Sequence, residues 1–380
     1  MNHHLHLGLG NFFRAHQAWY TGADPRWSIT AFTGRSPDLA DELTRRDCRY
    51  NLVVRGPSED RTEPQTAITT ALPGTDLTAW RSWMSRPSVA VLTLTVTEAA
   101  YADFVPARLV AGLAARRAAG AGSIAIIPCD NIPANGSTTA QAVAALADPA
   151  LATWITDNVS FVSTMVDRIT PRNPTPGVDV ITEPFTEWIL SGTFPAGRPT
   201  WEAAGARFVT DVRPHETRKL FLLNGAHTLL AYAGSALGHT TVASAVADPT
   251  CRTWLNEWWD EASRHVPLPA PELLTYRAAL LTRFANPRIH HTLAQIATDG
   301  SQKLPIRVLP VLRAERSAGR MPTAALRIVS AWINHLRGAG APLNDPAAAP
   351  YLQRAASSRD ILTLLAPDLT HDEALLKALP

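Results

Sequence analysis

The sequence predicts an α/β chain in two parts, a mostly parallel sheet wrapped by helices on both faces and then a mainly α-helical domain. Three observations predict it. The first half alternates short apolar runs with longer stretches of helical composition, the pattern of strand and crossover units. A glycine-bearing turn, Gly8-Leu9-Gly10, stands between the first apolar run and the next helical stretch. After Arg213 alanine- and leucine-rich amphipathic segments dominate.

Strands are expected at residues 4–9, 27–32, 89–97, 123–128 and 161–166, each a short apolar run. Between residues 50 and 72 the extended pieces 51–54 and 66–70 read as a hairpin at the sheet edge. Residues 102–119, rich in alanine and arginine, and residues 139–146 read as crossover helices. Segments 267–271 and 339–350 read as connections between helices of the second part. The glycine- and proline-bearing stretch 192–213 holds the expected boundary, giving a first domain at 1–205 and a mainly helical second domain at 206–380.

Composition limits the classes of function. The 380 residues suffice for two domains, and 46% hydrophobic residues with a net charge of +2 describe an ordinary soluble globule. No basic run points to nucleic acid. Cys48, Cys129 and Cys251 lie far apart without a Cys-x-x-Cys pair, which leaves them as reduced core thiols of a cytoplasmic protein. The chain starts without the charged and apolar pattern of a signal peptide, and no apolar stretch reaches membrane-spanning length, so no membrane role is expected. His3, His4 and His6 invite a metal reading, but strand alternation divides them between two faces, and no metal site is expected.

Two segments carry the chemistry. In His6-Leu7-Gly8-Leu9-Gly10-Asn11-Phe12-Phe13-Arg14-Ala15-His16, a strand runs through Gly-x-Gly into a helix. Glycines let a backbone approach a pyrophosphate, and a helix N-terminus attracts its charge. Phe13 stands where a third glycine usually falls. The second segment is Lys219-Leu-Phe-Leu-Leu-Asn224-Gly-Ala-His227. At about 100° per residue an α-helix places His227 angularly between Lys219 and Asn224. One polar arc then carries an amine that can act as a base once its pKa is lowered, together with two groups that can hold an oxyanion. A surface helix with an incidental lysine is the competing reading.

In order along the chain stand Gly8-Leu-Gly-Asn-Phe-Phe-Arg-Ala-His-Gln17, Thr95-Val-Thr-Glu98, Cys129-Asp-Asn131 with Asn135-Gly136, Phe161-Val-Ser-Thr-Met-Val-Asp-Arg-Ile-Thr-Pro171 and the Lys219 segment. Arg283-Phe-Ala-Asn-Pro287 and Asp299-Gly-Ser-Gln-Lys303 follow. Together they resemble the polyol-specific long-chain dehydrogenases, the family of mannitol 2-dehydrogenase and fructuronate reductase. The resemblance implies a Rossmann-like first domain whose dinucleotide is held by Gly8, Gly10, Asn11, Phe12 and Arg14, with Arg35 and Ser36 after the second strand and Thr97 and Glu98 after a later one. It implies catalysis by Lys219, Asn224, His227 and Asn131, with Asp167 at the substrate hydroxyls. Arg283, His290, His291 and Lys303 are candidates to grip the distal end of a substrate.

The expected reaction oxidises a secondary alcohol of a mannitol-type polyol. Neutral Lys219 takes the hydroxyl proton, hydride passes to a nicotinamide, and the two asparagine amides stabilise the alkoxide without a metal. NAD is the expected cofactor, on two grounds: a carboxylate at Asp38 is within reach of the ribose, and the resembled family includes many NAD users. Arg35 beside Ser36 keeps NADP open. The resemblance implies a monomer. Ala99-Ala100 replaces the family's commoner Lys-Gly, and the chain is shorter than most members. Three alternatives stay open: a mannonate-type acid as substrate, the chemistry of 6-phosphogluconate and β-hydroxyacid dehydrogenases, and a catalytically silent protein that only binds dinucleotides.

Overall fold

The computed structural model describes residues 2–34, 36–96, 98–101, 104–171 and 177–380. They form two compact units, Met1–Arg213 and Pro214–Pro380. The division lies beyond residue 205 because a short strand, Arg207–Phe208, is still paired into the first unit.

The strands of the first unit are β1 (Asn2–Leu7), β2 (Trp27–Phe32), β3 (Tyr50–Arg55), β4 (Asp60–Gln65), β5 (Ile68–Leu72), β6 (Val89–Leu94), β7 (Ile124–Pro128), β8 (Val159–Phe161), β9 (Ser163–Asp167), β10 (Val180–Thr182), β11 (Glu187–Ser191) and β12 (Arg207–Phe208). Six of them build the main sheet in the order β5-β2-β1-β6-β7-β8, with every neighbouring pair parallel. Every residue of β2, β6 and β7 is buried. That is what a parallel sheet covered on both faces requires, and why these strands read as unbroken apolar runs. Ranked by position in the chain, the six strands run 3-2-1-4-5-6, the order of doubly wound nucleotide-binding sheets. The order reverses between β1 and β6, so the ligand crevice of such a fold opens at their carboxyl ends.

The helices of this unit are α1 (Asn11–Ala15), α2 (Gln17–Gly22), α3 (Asp38–Thr44), α4 (Leu77–Met84), α5 (Phe104–Ala118), α6 (Asn135–Ala144) and α7 (Pro149–Asn158). On one face Leu5 and Leu7 pack with Trp80, Met84, Leu109, Leu113, Val143 and Ile155 from α4 to α7. The other face is covered by α1, α2 and α3 and by the two small sheets β10-β3-β4 and β12-β11-β9. Alternation along β1 therefore sends His4 and His6 towards that second face. Arg116, fully buried at the end of α5, donates to the carbonyls of Met84, Arg86, Ala121, Gly122 and Ser123, and so fastens the entries to β6 and β7.

Two expectations are corrected. The piece at 51–54 does belong to a hairpin, but its partner is β4; residues 68–72 instead lie parallel to β2 as the sheet edge. Gly74 explains the placement, because a Cβ there would meet the carbonyl oxygens of Thr33 and Gly34 at 2.0 and 2.2 Å. The expected strand at 161–166 is two strands, β8 ending the parallel sheet and β9 paired antiparallel with β11. The chain turns at Val162, where Gly136 and Gly192 pack against its backbone and side chain and leave room for the bend.

The second unit is helical, as expected. Its first long helix passes through α8 (Arg213–Arg218), a π-helical turn at Lys219–Asn224, α9 (Gly225–Leu229) and a second π-turn at Leu230–Gly234. Then follow α10 (Val242–Ala247), α11 (Pro249–Ser263), α12 (Ala270–Phe284), α13 (Leu293–Ile296), α14 (Gly300–Arg307), α15 (Leu309–Ser317) and α16 (Thr323–Leu336). The proline segments at 267–271 and 339–350 fall at the start of α12 and after α16. Pro322 opens α16 without a side-chain cap, and the buried carboxylate of Glu261 accepts instead from the Ala324 and Ala325 amides. Among the described residues no helix is long and apolar enough to cross a membrane.

Candidate active site

The crevice at the switch point is shaped by the first glycine. Gly8 has φ +108°, and a Cβ on it would meet the Thr95 carbonyl oxygen at 2.1 Å, so the β1 and β6 ends close on each other only with glycine here. Gly10 differs. It caps α1 with extended backbone at φ −134°, and among the described residues a Cβ there would find only Gly8 O, at 3.6 Å. The fold alone does not demand glycine at position 10. Phe13, in the place of the third glycine, lies flat on the His6 imidazole with ring centroids 3.4 Å apart, and this stack supplies the close helix-to-strand packing that glycine supplies elsewhere.

Arg14 is buried and committed to its own unit. Its guanidinium donates to Asn11 Oδ1 at 2.6 Å, to Gly10 O and to Val178 O, and the cation lies over the Tyr50 ring. Phe12 stacks on His16. After β2, Ser36 Oγ donates to Asp38 Oδ2 at 2.8 Å, so the carboxylate and hydroxyl named for cofactor choice hold each other. Arg35 and Thr97 lie outside the described residues, and of Glu98 the backbone alone is described, opening a single 3₁₀ turn.

Asn131 is an exposed residue in the loop after β7. That loop is tied down by its neighbours. Tyr101 donates to the Asp130 carboxylate, and buried Asn135 donates to Thr164 O while accepting from Thr164 N, both at 3.0 Å. Gly136 lets α6 press on β9, where a Cβ would meet Ser163 Oγ at 2.7 Å. Asn135-Gly136 is thus the first turn of a helix, not the reverse turn its composition resembles. Asp167 is buried at the end of β9, outside the parallel sheet, which corrects the expectation that it follows a strand of that sheet. Arg168 is spent on backbone oxygens of Ala15 and Glu183.

In the second unit the Lys219 segment is a π-turn rather than the α-helix expected. An α-helix separates Lys219 and Asn224 by about 140° of arc. An i→i+5 turn brings residues five apart close to one above the other, so the arc narrows and the two side chains share a face with His227, which follows in α9. The turn is held from behind. Leaving an i→i+5 ladder strands a carbonyl without its helical donor. At this point Trp258 Nε1 donates to Phe221 O at 2.9 Å and Trp259 Nε1 to Leu222 O at 2.8 Å. Gly225 admits the first indole, since a Cβ there would lie 2.5 Å from Trp258.

His227 is 5% exposed, and its Nε2 has no hydrogen-bond partner among the described residues. Its ring centroid lies 4.6 Å from Phe284 and 4.9 Å from His291. Burial first, then His291, Arg283 and Arg307, keep it neutral with a pKa well below the usual value. The distal candidates separate on this basis. Arg283 is buried on α12 and acts on His227, whereas His290 is exposed with φ +49°, and its neighbour His291 is the one beside His227. Lys303 donates to the Ile296 and Thr298 carbonyls at the end of α13. Arg307 and the two tryptophans were not foreseen. Gly225 beside Asn224 and the adjacent pair Trp258-Trp259 were the available signals.

One group of potential metal ligands occurs among the described residues, His239, Asp248 and Cys251, with ligand atoms within 4.8 Å of one another. Asp248 already caps α11 by accepting from the Thr250 and Cys251 amides, at the positive end of that helix. No metal chemistry is assigned to it.

The buried histidines predict acid sensitivity. Burial lowers His4 to about 3, His291 to about 4, and His6 and His227 well below the ordinary 6.5. The unfolded chain therefore binds more protons below pH 6.5, and stability falls with pH from there towards the folded pKa values, by up to ~1.4 kcal/mol per pH unit for each ring. Tm should drop steeply between pH 6.5 and 5. A flat profile would mean that the rings take up protons in the fold.

Sequence and structure comparisons agree with this architecture. The family description "Mannitol dehydrogenase Rossmann domain" matches residues 2–203, and "Mannitol dehydrogenase C-terminal domain" matches 211–369. The chain is 33% identical over 387 positions to the D-mannonate oxidoreductase of Escherichia coli, covering 88% of this chain and 80% of that protein. It is 33% identical over 384 positions to the mannitol 2-dehydrogenase of Cereibacter sphaeroides, with the same coverage. A Pseudomonas fluorescens mannitol 2-dehydrogenase, solved with NAD and D-mannitol, superposes with a TM-score of 0.83 at 29% identity, covering 100% of this chain and 88% of that one.

Proposed function

The chain belongs to the mannitol dehydrogenase family, and from that premise we propose that it interconverts a mannitol-type sugar alcohol and its ketose with NAD, using Lys219 as general base. The observation that carries this reading is the π-turn that gathers Lys219 and Asn224 on one face ahead of a buried, neutral His227.

Bound NAD supplies the hydride acceptor. Neutral Lys219 Nζ takes the hydroxyl proton as the carbon–hydrogen bond gives up its electron pair and the carbonyl forms. Asn224 and Asn131 donate to the developing alkoxide, so their amides do the polarising that a Lewis acid does elsewhere. His227 holds the substrate or tunes the lysine, Arg283 and His290 serve its distal end, and Asp167 serves its hydroxyls. At the dinucleotide turn Gly8, Gly10, Asn11 and Phe12 meet the pyrophosphate, while Arg14 acts by holding Asn11 and Gly10 in place. The contact between Ser36 and Asp38 supports NAD, because a carboxylate there suits ribose hydroxyls and repels a 2′-phosphate. KM values for NAD and NADP measured side by side test the choice.

Gly10 tests the site without testing the fold. Among the described residues a methyl group at this position meets nothing closer than 3.6 Å, but it stands where a pyrophosphate needs the backbone bare. Gly10→Ala should leave Tm nearly unchanged and raise the NADH dissociation constant by about tenfold or more, worth ~1.4 kcal/mol. Unchanged NADH binding by calorimetry would move the dinucleotide elsewhere.

A second reading, a mannonate-type acid as substrate, is favoured by the two guanidinium groups of Arg283 and Arg307 acting on His227. Initial rates with D-mannitol and D-mannonate, each with NAD, decide between them. A higher kcat/KM for the carboxylated sugar replaces the polyol reading, and no turnover of either substrate overturns the reading as an enzyme of this class.

A further inference from the structure

We infer that a one-way chain of hydrogen bonds, buried as far as the second of two histidines, positions the Gly8 carbonyl, and with it the turn that receives the dinucleotide. The inference rests on the reading of Gly8 to Gly10 as that turn. The chain starts at Trp201 Nε1, 3.0 Å from Thr21 Oγ1, and Thr21 Oγ1 is 2.9 Å from His4 Nδ1. His4 Nε2 lies 2.6 Å from Thr93 Oγ1, which lies 2.7 Å from His6 Nδ1. His6 Nε2 is 3.1 Å from Thr95 Oγ1, which donates to Gly8 O at 2.8 Å. Trp201, Thr21, His4, Thr93 and His6 are all 0% exposed.

Its two ends fix its direction. An indole N–H can only donate, and a carbonyl can only accept. Thr95 therefore gives its proton to Gly8 O and must accept from His6 Nε2–H. His6 Nδ1 then accepts from Thr93, which accepts from His4 Nε2–H. His4 Nδ1 accepts from Thr21, which accepts from Trp201. Both imidazoles are thus neutral Nε2–H tautomers, and each of the three hydroxyls donates once and accepts along the same line. Bonds so aligned polarise one another in the same sense. Thr93 is a positioning residue, acting on the turn through His6 and Thr95.

Selective ¹⁵N labelling of histidine in the full chain reads the tautomers, with His4 and His6 signals assigned through His4→Gln and His6→Gln. The expected result is a proton on Nε2 of both rings at pH 7.5. A proton on Nδ1 of either ring overturns the inference whatever the enzyme does. NADH titration supplies the second arm. Thr93→Ser keeps the hydroxyl and should bind like wild type, whereas Thr93→Val keeps the shape alone and should bind about tenfold more weakly. Equal binding by all three overturns the inference. If Thr93→Val does not fold, Thr95→Val and Thr95→Ser make the same comparison one link nearer the turn. Failure of the wild-type chain to bind NADH or NADPH sinks the dinucleotide reading instead, and the tautomer result still decides whether the chain of bonds exists.

Discussion

Lys219→Ala should lower kcat by ~10²- to 10⁴-fold, the range typical of a lost general base, while NADH binds within about twofold of wild type. On the proposed reading the substitution removes the group that accepts the alcohol proton and leaves Gly8 and Gly10 as they are. Lys219→Arg separates a base from a mere charge. A guanidinium stays protonated at all accessible pH, so the arginine variant keeps the cation but cannot take a proton. It should be as slow as the alanine variant. Recovery of more than about a tenth of wild-type kcat in Lys219→Arg would assign Lys219 an electrostatic role instead. Because the base works in its neutral form, log kcat/KM for alcohol oxidation should rise with pH through the lysine's pKa in the free enzyme, and that limb should vanish in Lys219→Arg. Equal loss of turnover and of NADH affinity would show that the residue holds the site together rather than acting in it.

The main sheet was legible because buried parallel strands are written as unbroken apolar runs, and β2, β6 and β7 begin and end close to where those runs do. The edges were not. Residues 51–54 found a partner in 60–65, a segment holding Asp60, Arg61, Glu63 and Pro64 that shows no apolar alternation because most of it faces solvent. The break at Val162 depended on Gly136 and Gly192, distant glycines whose packing no local pattern reveals. At the site, Lys219, Asn224 and His227 were readable as a polar arc, but only on the assumption of α-helical geometry. The π-turn comes from donors more than thirty residues away, Trp258 and Trp259, and local periodicity carries no information about them. His6 shows the same limit. On the strand it looked like one of three scattered histidines; its partner Phe13 emerges only when α1 packs on β1, and Thr93 only when β1 lies beside β6.

The second large effect is expected at Gly225. A methyl group there would sit 2.5 Å from the Trp258 indole and 2.9 Å from its Nε1, so either the helix or the indole must move. Overpacking of this kind costs about 1–3 kcal/mol, and the movement also threatens the 2.9 Å bond to Phe221 O that supports the turn carrying Lys219. Gly225→Ala should therefore lower Tm and kcat together. Trp258→Phe removes the clashing part of the indole but leaves Phe221 O without that donor, and should itself cost about 1 kcal/mol or more. In the double variant the methyl group has room, so its destabilisation should fall short of the sum of the single effects by about 1 kcal/mol or more, a coupling measurable in a double-mutant cycle by denaturant unfolding. Turnover should behave differently from stability. The double variant regains packing but not the indole donor, so kcat should stay low while Tm partly recovers. Additive stabilities would mean that the glycine is not there to admit Trp258. Full recovery of kcat in the double variant would mean that the Lys219 turn keeps its geometry without the indole, leaving the ring as packing alone.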